Sequence, residues 1–170
     1  KQRIKGIFIT HGHDDAMAAL PYLIKQVNLP IYTTPLTAKL IEKLFKEEKL
    51  SDYQIKVIKR DDNLNIGKVN IRTFSLTHSI ADAFGIAIES PFGYIVYAGE
   101  FIIDFNTRNP AFACDITNFA EIGKKGVFAF LTESVGADRP GYTAPNHMIT
   151  ETVEDVLEDA KGRVFVTMYE

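Results

Sequence analysis

The stretch Ile7-Phe-Ile-Thr-His-Gly-His-Asp-Asp-Ala16 carries the pattern that decides the fold and the chemistry of this chain. Its first three residues are apolar and typical of a strand, and polar side chains begin directly after them. His11, His13 and Asp15 alternate with other residues, so a strand end and its loop can aim all three into one space. Two neutral imidazoles and a carboxylate suit a divalent ion such as Zn²⁺ or Mn²⁺. The segment therefore predicts a metal-binding loop in which Ala16 offers no ligand atom.

Polar residues of the metal-binding type follow two further apolar runs. His78 stands in Leu-Thr-His-Ser at residues 76–79, and Glu100 follows Tyr-Ala-Gly at residues 97–99. Taken singly, His78 could serve as a strand-capping hydrogen-bond partner and Glu100 as a turn carboxylate. Three of the four histidines in the chain nevertheless occur at such strand ends. Together, the three segments indicate one shared site.

The period of the apolar residues alternates between strand and helix along the chain. Strands are predicted at residues 3–10, 29–33, 54–58, 69–76, 85–89, 94–98, 127–132 and 163–167, with 127–132 expected to be buried. Helices are predicted at 14–26, 35–49, 116–124 and 150–160, and loops at 104–113 and 136–146. Pro21 is expected to kink or divide the first helix. Helices on both flanks of many strands predict a layered α/β fold with a mixed sheet or a pair of sheets.

The composition is that of a globular domain, with 46% hydrophobic residues, 24% charged residues and a net charge of −3 over 170 residues. Lysines at helical spacing between Lys39 and Lys49 are interspersed with glutamates and predict a solvated face. The lone cysteine, Cys114, excludes an internal disulfide and favours a reducing, cytoplasmic setting. No apolar run approaches ~18 residues, so no membrane span is predicted.

Four segments of the chain resemble the ribonuclease J family, which belongs to the β-CASP group of the metallo-β-lactamase fold. They are Thr-His-Gly-His-Asp-Asp-Ala-Met-Ala-Ala-Leu-Pro-Tyr-Leu at 10–23, Thr-His-Ser-Ile at 77–80, Gly-Glu-Phe-Ile-Ile-Asp at 99–104 and Thr-Glu-Ser-Val-Gly-Ala-Asp-Arg-Pro-Gly-Tyr-Thr at 132–143. The resemblance implies an αββα sandwich with mixed β-sheets flanked by helices. Residues 1–149 would form part of this domain and residues 150–170 the start of a β-CASP junction, so the chain is expected to be a piece of a longer protein.

The resemblance also implies a reaction. In that family two metal ions activate a water that attacks an RNA phosphodiester, either internally or from the 5′ end. By resemblance, the metal ligands are His11, His13, Asp15, His78 and Glu100. Asp15 and Glu100 would in addition act catalytically on the attacking water. Ser134 would contact the substrate, and the expected partners are RNA and further copies or paralogues of ribonuclease J in an oligomer.

The chain departs from the family pattern at the positions that bear on activity. Ala16 stands in place of a ligand histidine, and Glu100 in place of a bridging aspartate. Glu133 likewise replaces an aspartate, and Val-Gly at 135–136 replaces Thr-Asn. The pattern resembles that of the degenerate, weakly active paralogue of ribonuclease J. We therefore expect at most one ion, Zn²⁺ or Mn²⁺, or none.

Three functions follow from these observations. The first is an RNA-processing hydrolase of the ribonuclease J type with weak activity, and the second a non-catalytic RNA-binding or assembly subunit on the same fold. The third, a hydrolase of small esters or lactams, is disfavoured because the segments at 19–23 and 139–143 resemble the nucleic-acid branch. His147 matches no motif and is predicted to be a solvent-facing loop residue.

Overall fold

The computed structural model describes residues 3–104, 107, 109–141 and 146–167, with the side chains of residues 146–148 left undescribed. The strands are β1 (Ile7–Phe8), β2 (Ile31–Thr33), β3 (Ile55–Val57), β4 (Asn63–Ile66), β5 (Val69–Ser75), β6 (Phe84–Ser90), β7 (Gly93–Gly99) and β8 (Val127–Thr132). The α-helices are α1 (Asp14–Met17), α2 (Leu20–Gln26), α3 (Pro35–Glu47), α4 (Ile116–Lys125) and α5 (Asn146–Asp159). A short 3₁₀ turn covers Pro110–Phe112.

The first sheet is parallel, with strand order β1-β2-β3. Ile7 pairs with Ile31, which pairs with Ile55, and the helices between these strands provide the crossovers that parallel pairing requires. Side chains alternate across the sheet. Ile31 packs under the helices with Ile41 and Phe45, whereas Tyr32 faces the other way.

The second sheet has the order β4-β5-β6-β7-β8. Its first four strands form an antiparallel meander, and β8 pairs in parallel with β7 after the α4 crossover. Because β5 and β7 both run antiparallel to β6, the strands β5, β7 and β8 share one direction. Their carboxyl ends therefore meet at one edge of the sheet.

Three apolar clusters establish the order of the layers. One lies between α1–α3 and the first sheet and contains Ile24, Ile31 and Phe45. The next lies between the two sheets and joins Phe84 and Ile86 to the aromatic rings of the first sheet. The last lies between the second sheet and α4. The order is helix, sheet, sheet, helix, which confirms the predicted αββα sandwich with mixed sheets.

The predicted elements in the first half of the chain are present, most of them with shorter bounds. The first helix divides into α1 and α2, and Pro21 stands in the first turn of α2, where its missing N–H costs nothing. The sequence prediction missed β4, a polar strand whose Leu64 and Ile66 alternate inward. It pairs with β5 across a two-residue turn that contains Gly67 at φ +65°.

Three predictions in the second half were wrong. The strand at 127–132 is present but not buried, because β8 is an edge strand, and Phe128 is 62% exposed. The segment 163–167 forms no strand, since no described strand pairs with it. The last helix begins at Asn146 instead of Thr150, so the backbone of His147 lies in α5 and not in a loop. None of the helices in the described residues is long and apolar enough to span a membrane.

Candidate metal centre

The candidate site lies where the carboxyl ends of strands from both sheets come together. The loop after β1 carries His11 and His13, and α1 begins directly after it. The backbone N–H of Phe84 donates to the carbonyl of Thr10 at 3.1 Å, which ties this loop to the second sheet. A bridge between Thr77 and Ile102 fixes the loops that follow β5 and β7. Residues that lie far apart in sequence are thereby held at one edge of the sandwich.

The three predicted histidines converge there. The ring centroids of His11 and His78 are 4.6 Å apart, those of His13 and His78 4.8 Å, and those of His11 and His13 5.0 Å. Each offers one nitrogen, and these three atoms lie within 4.8 Å of one another. Two of the rings are buried, whereas His13 lies at the mouth of the site.

The predicted carboxylates lie beside these rings. An oxygen of Glu100 is 3.4 Å from Nε2 of His78, and an oxygen of Asp15 is 3.9 Å from Nε2 of His11. Glu100 directly follows Gly99, whose φ of +57° turns the chain out of β7. Both carboxylates are exposed, whereas the rings they approach are buried. Each of the two buried imidazoles therefore has an exposed, negatively charged carboxylate beside it.

Burial favours the neutral form of His11 and His78. The pKa of His11 is lowered by burial and then by the nearby imidazoles of His78 and His13. The pKa of His78 is also lowered, mainly by burial, against the opposing effect of Glu100. Lowered pKa values keep both rings neutral at pH 7, and the neutral imidazole is the form that binds metal ions.

The donor set fits a divalent ion. The side chain of His78 is only 2% exposed, and among the described residues the polar group that its Nε2 faces is the Glu100 carboxylate. Two ligand atoms about 2.0–2.1 Å from a tetrahedral zinc lie roughly 3.3 Å apart. Nε2 of His78 and the Glu100 oxygen, 3.4 Å apart, have this spacing. A buried imidazole nitrogen that faces a carboxylate at this distance suits a pair of metal ligands.

Ser79 and Glu133 also belong to this neighbourhood, although the sequence interpretation gave neither a role in metal binding. The hydroxyl of Ser79 lies 3.2 Å from Nδ1 of His78 and 3.5 Å from Nε2 of His13. Glu133 directly follows β8, and its backbone N–H donates to the carbonyl of Gly99 at 2.9 Å, next to Glu100. The sequence could have indicated Glu133 as a site residue, because it directly follows an apolar strand, as Glu100 does.

The remaining predicted positions behave differently. Ala16 packs against the apolar cluster under the helices. Ser134 is exposed beside Glu133, and no contact described in the structure joins its side chain to the histidines. Its role as a substrate contact therefore stays a prediction.

Clefts border the cluster on two sides. One, of about 560 Å³, opens beside His13 and is lined on its apolar wall by Met17, Leu40, Leu44 and Ile80. A smaller one, of about 130 Å³, reaches His78 and Glu100. The histidine cluster is therefore accessible from solvent.

Comparison with known proteins agrees with this geometry. The family described as "Beta-lactamase superfamily domain" matches residues 1–167. The chain belongs to the β-lactamase superfamily. It is 36% identical over 170 residues to Ribonuclease J 2 of Staphylococcus epidermidis and 37% identical over 171 residues to that of Staphylococcus aureus. Each alignment covers 99% of this chain and 30% of the relative, so the chain spans about a third of their length.

Among solved structures, a protein of unknown function from Enterococcus faecalis has the same fold. The TM-score is 0.59 at 16% identity, and the match covers 90% of this chain and 39% of the other. These comparisons confirm the predicted metallo-β-lactamase-type fold, and over nearly its whole length the chain is similar in sequence to Ribonuclease J 2.

Proposed function

We propose that this chain forms part of a metal-dependent RNA hydrolase of the ribonuclease J type, with weak activity. The observation that carries the proposal is the convergence of His11, His13 and His78, with Glu100 beside His78, in a chain that aligns with Ribonuclease J 2 over 99% of its length. The substrate class, RNA, is inferred from the similarity to those relatives. The hydrolytic chemistry comes from the site.

In the proposed reaction the three imidazoles hold a divalent ion, Zn²⁺ or Mn²⁺. When bound, such an ion lowers the pKa of a water and neutralises charge on a phosphodiester. Asp15 or Glu100 would orient the attacking water and accept one proton from it as its oxygen bonds to phosphorus, since both carboxylates face solvent beside the buried rings. The proton would pass to the leaving oxygen as the P–O bond of the RNA breaks. The cleft beside His13 gives an RNA strand access to this point.

A second candidate function is supported by the position of Ala16. By resemblance the family has a ligand histidine at this position, whereas this chain has an alanine. The methyl group of Ala16 packs against the apolar cluster beneath the helices and offers no ligand atom. On this basis the site holds at most one ion. A protein with such a site acts as an RNA-binding or assembly subunit of a ribonuclease J oligomer.

The two candidates are separated by restoring the family ligands. We expect the double variant Ala16→His, Glu100→Asp in the intact protein to raise the rate of cleavage of an end-labelled RNA, assayed with Zn²⁺ and with Mn²⁺. Adding His78→Ala to this double variant is the control, because it removes the buried imidazole and should abolish the gain. An unchanged rate in the double variant would favour the non-catalytic subunit.

Metal analysis provides an independent measurement. We expect protein that has been stripped with a chelator and reloaded with zinc to retain at most one equivalent per chain. Two tightly held equivalents would contradict the inference drawn from Ala16, because they would require a complete second site.

A further inference from the structure

Each of the two buried imidazoles has a hydroxyl group at one ring nitrogen and a carboxylate near the other. Nδ1 of His78 lies 3.2 Å from the hydroxyl oxygen of Ser79, and its Nε2 lies 3.4 Å from an oxygen of Glu100. The same arrangement occurs at His11, whose Nδ1 lies 3.1 Å from the hydroxyl oxygen of Thr10 and whose Nε2 lies 3.9 Å from a carboxylate. Both rings therefore direct Nε2 toward the acidic side of the site and Nδ1 toward a hydroxyl.

The hydroxyl beside His78 bears on which nitrogen can bind an ion. A neutral imidazole carries its proton on one nitrogen and offers the lone pair of the other. If Nε2 of His78 binds an ion, Nδ1 carries the proton and requires a hydrogen-bond acceptor. The backbone N–H of Ile80 lies 3.4 Å from Nδ1, but an amide N–H can only donate. Among the contacts of this nitrogen within the described residues, the Ser79 hydroxyl is thus the group that can accept.

Ser79 also lies beside the third imidazole. Its hydroxyl oxygen is 3.5 Å from Nε2 of His13. Because a hydroxyl oxygen has two lone pairs, it can accept from Nδ1–H of His78 and from Nε2–H of His13 together. These two hydrogen bonds leave Nε2 of His78 and Nδ1 of His13 with their lone pairs for an ion. One exposed hydroxyl can therefore set the binding nitrogen of two of the three rings.

We propose that Ser79 is a positioning residue of the metal centre, which holds His78 with its proton on Nδ1 and its lone pair on Nε2. Without an ion, the N–H of Ile80 favours the opposite form, with the proton on Nε2 beside Glu100. Ion binding at Nε2 requires that this nitrogen lose its proton and that Nδ1 gain one, so the ring stays neutral. The hydroxyl of Ser79 then rotates from donor to acceptor. The inference rests on the proposed metal site and deepens it.

The first test is zinc affinity. Chelator-treated intact protein is titrated with Zn²⁺ in competition with a chromophoric chelator. We expect Ser79→Ala to weaken Zn²⁺ binding by roughly 10–100-fold, the cost of losing an outer hydrogen-bond partner of a metal ligand. Ser79→Thr is the matched control, because it keeps a hydroxyl at this position and should bind Zn²⁺ nearly as tightly as the wild type. Ser79 is exposed, so the metal-free variants should unfold at the same temperature as the metal-free wild type.

Nitrogen NMR of the zinc-loaded protein provides a readout that a merely structural role for Ser79 would not change. We expect the proton of His78 on Nδ1, and we expect this proton to exchange with water faster in Ser79→Ala than in the wild type or Ser79→Thr. Zinc bound through Nδ1 of His78, or equal exchange rates in all three proteins, would overturn the proposal.

The affinities can overturn it as well. Ser79→Ala that binds Zn²⁺ as tightly as the wild type, or Ser79→Thr that binds it as weakly as Ser79→Ala, would contradict a role for the hydroxyl. Wild-type protein that binds no Zn²⁺ would do the same. Zinc binding that depends on the Ser79 hydroxyl, in a protein that cleaves no RNA, would refute the proposed hydrolase and leave this inference standing.

Discussion

Adding one methyl group at Gly85 provides a sharp test of how the second sheet is packed. Gly85 of β6 pairs directly with Phe74 of β5. A Cβ at Gly85 would lie 2.3 Å from Cζ of the Phe74 ring and 2.5 and 2.9 Å from its two Cε atoms. Carbon atoms in good contact lie about 3.5–4.0 Å apart. The ring must therefore move by roughly 1 Å or more to admit the methyl group.

The surroundings of Phe74 oppose such a movement. Its side chain is 1% exposed, and its ring packs edge-on against Phe119 of α4 at a centroid distance of 5.2 Å. Overpacking of this kind costs about 1–3 kcal/mol. The smaller entropy of an unfolded chain with alanine offsets about 0.4–1 kcal/mol of that cost. We expect Gly85→Ala to lower the free energy of unfolding by about 1–2 kcal/mol, and Tm by roughly 2–8 °C.

Urea unfolding and calorimetry of the intact protein measure this effect, with Phe74→Leu and the double variant completing a cycle. Leucine lacks the outer ring atoms that the new Cβ meets, so the double variant should lose less stability than the sum of the single variants, by about 0.5 kcal/mol or more. A Gly85→Ala protein as stable as the wild type, or strictly additive losses in the cycle, would refute the packing argument.

Three further predictions concern a helix cap, pH and metal removal. Asp115→Ala should lower the free energy of unfolding by about 1 kcal/mol in urea titrations, because the Asp115 carboxylate caps α4 by accepting from the N–H of Thr117 at 2.9 Å. In metal-free protein the pKa values of His11 and His78 are lowered by folding, so between the folded and unfolded pKa values the unfolded chain binds more protons than the folded one. The free energy of unfolding, measured by urea titration at several pH values, should therefore decrease as the pH drops below about 6.5. If the free ion is present at 100 times its Kd, its removal with a chelator should lower the free energy of unfolding by about 2.7 kcal/mol, which is measured as a decrease in Tm.

The fold was predictable because its signals are local. The spacing of Leu40, Ile41 and Phe45 indicates a helix from the sequence alone, and Pro35 marks its start. Exposure of a strand is not a local property. The apolar run at 127–132 predicts burial, yet within the described residues β8 pairs with β7 alone, and nothing in its own sequence reveals its place at the edge of this sheet.

The histidine cluster was predictable for a related reason. His11, His13 and His78 each follow an apolar run, and the common direction of strand ends in a layered fold brings such positions together. That Glu100 and Glu133 lie on neighbouring strand ends was not predictable, since it depends on the parallel pairing of β7 with β8 across the intervening α4 crossover. Strand order and register across a crossover of this length are not encoded in the local pattern.

The substitutions at positions 16, 100 and 133 are best understood as one change. By resemblance the family has a histidine at the first and aspartates at the other two, whereas this chain has an alanine and two glutamates. The methyl group of Ala16 packs against the core beneath the helices, so a histidine there must displace part of that packing or swing away from it. Each glutamate reaches one methylene further than an aspartate, and an oxygen of Glu100 lies 3.4 Å from Nε2 of His78. Ala16→His alone should therefore restore less activity than the double variant with Glu100→Asp, because the longer glutamate occupies space that a second ion would need.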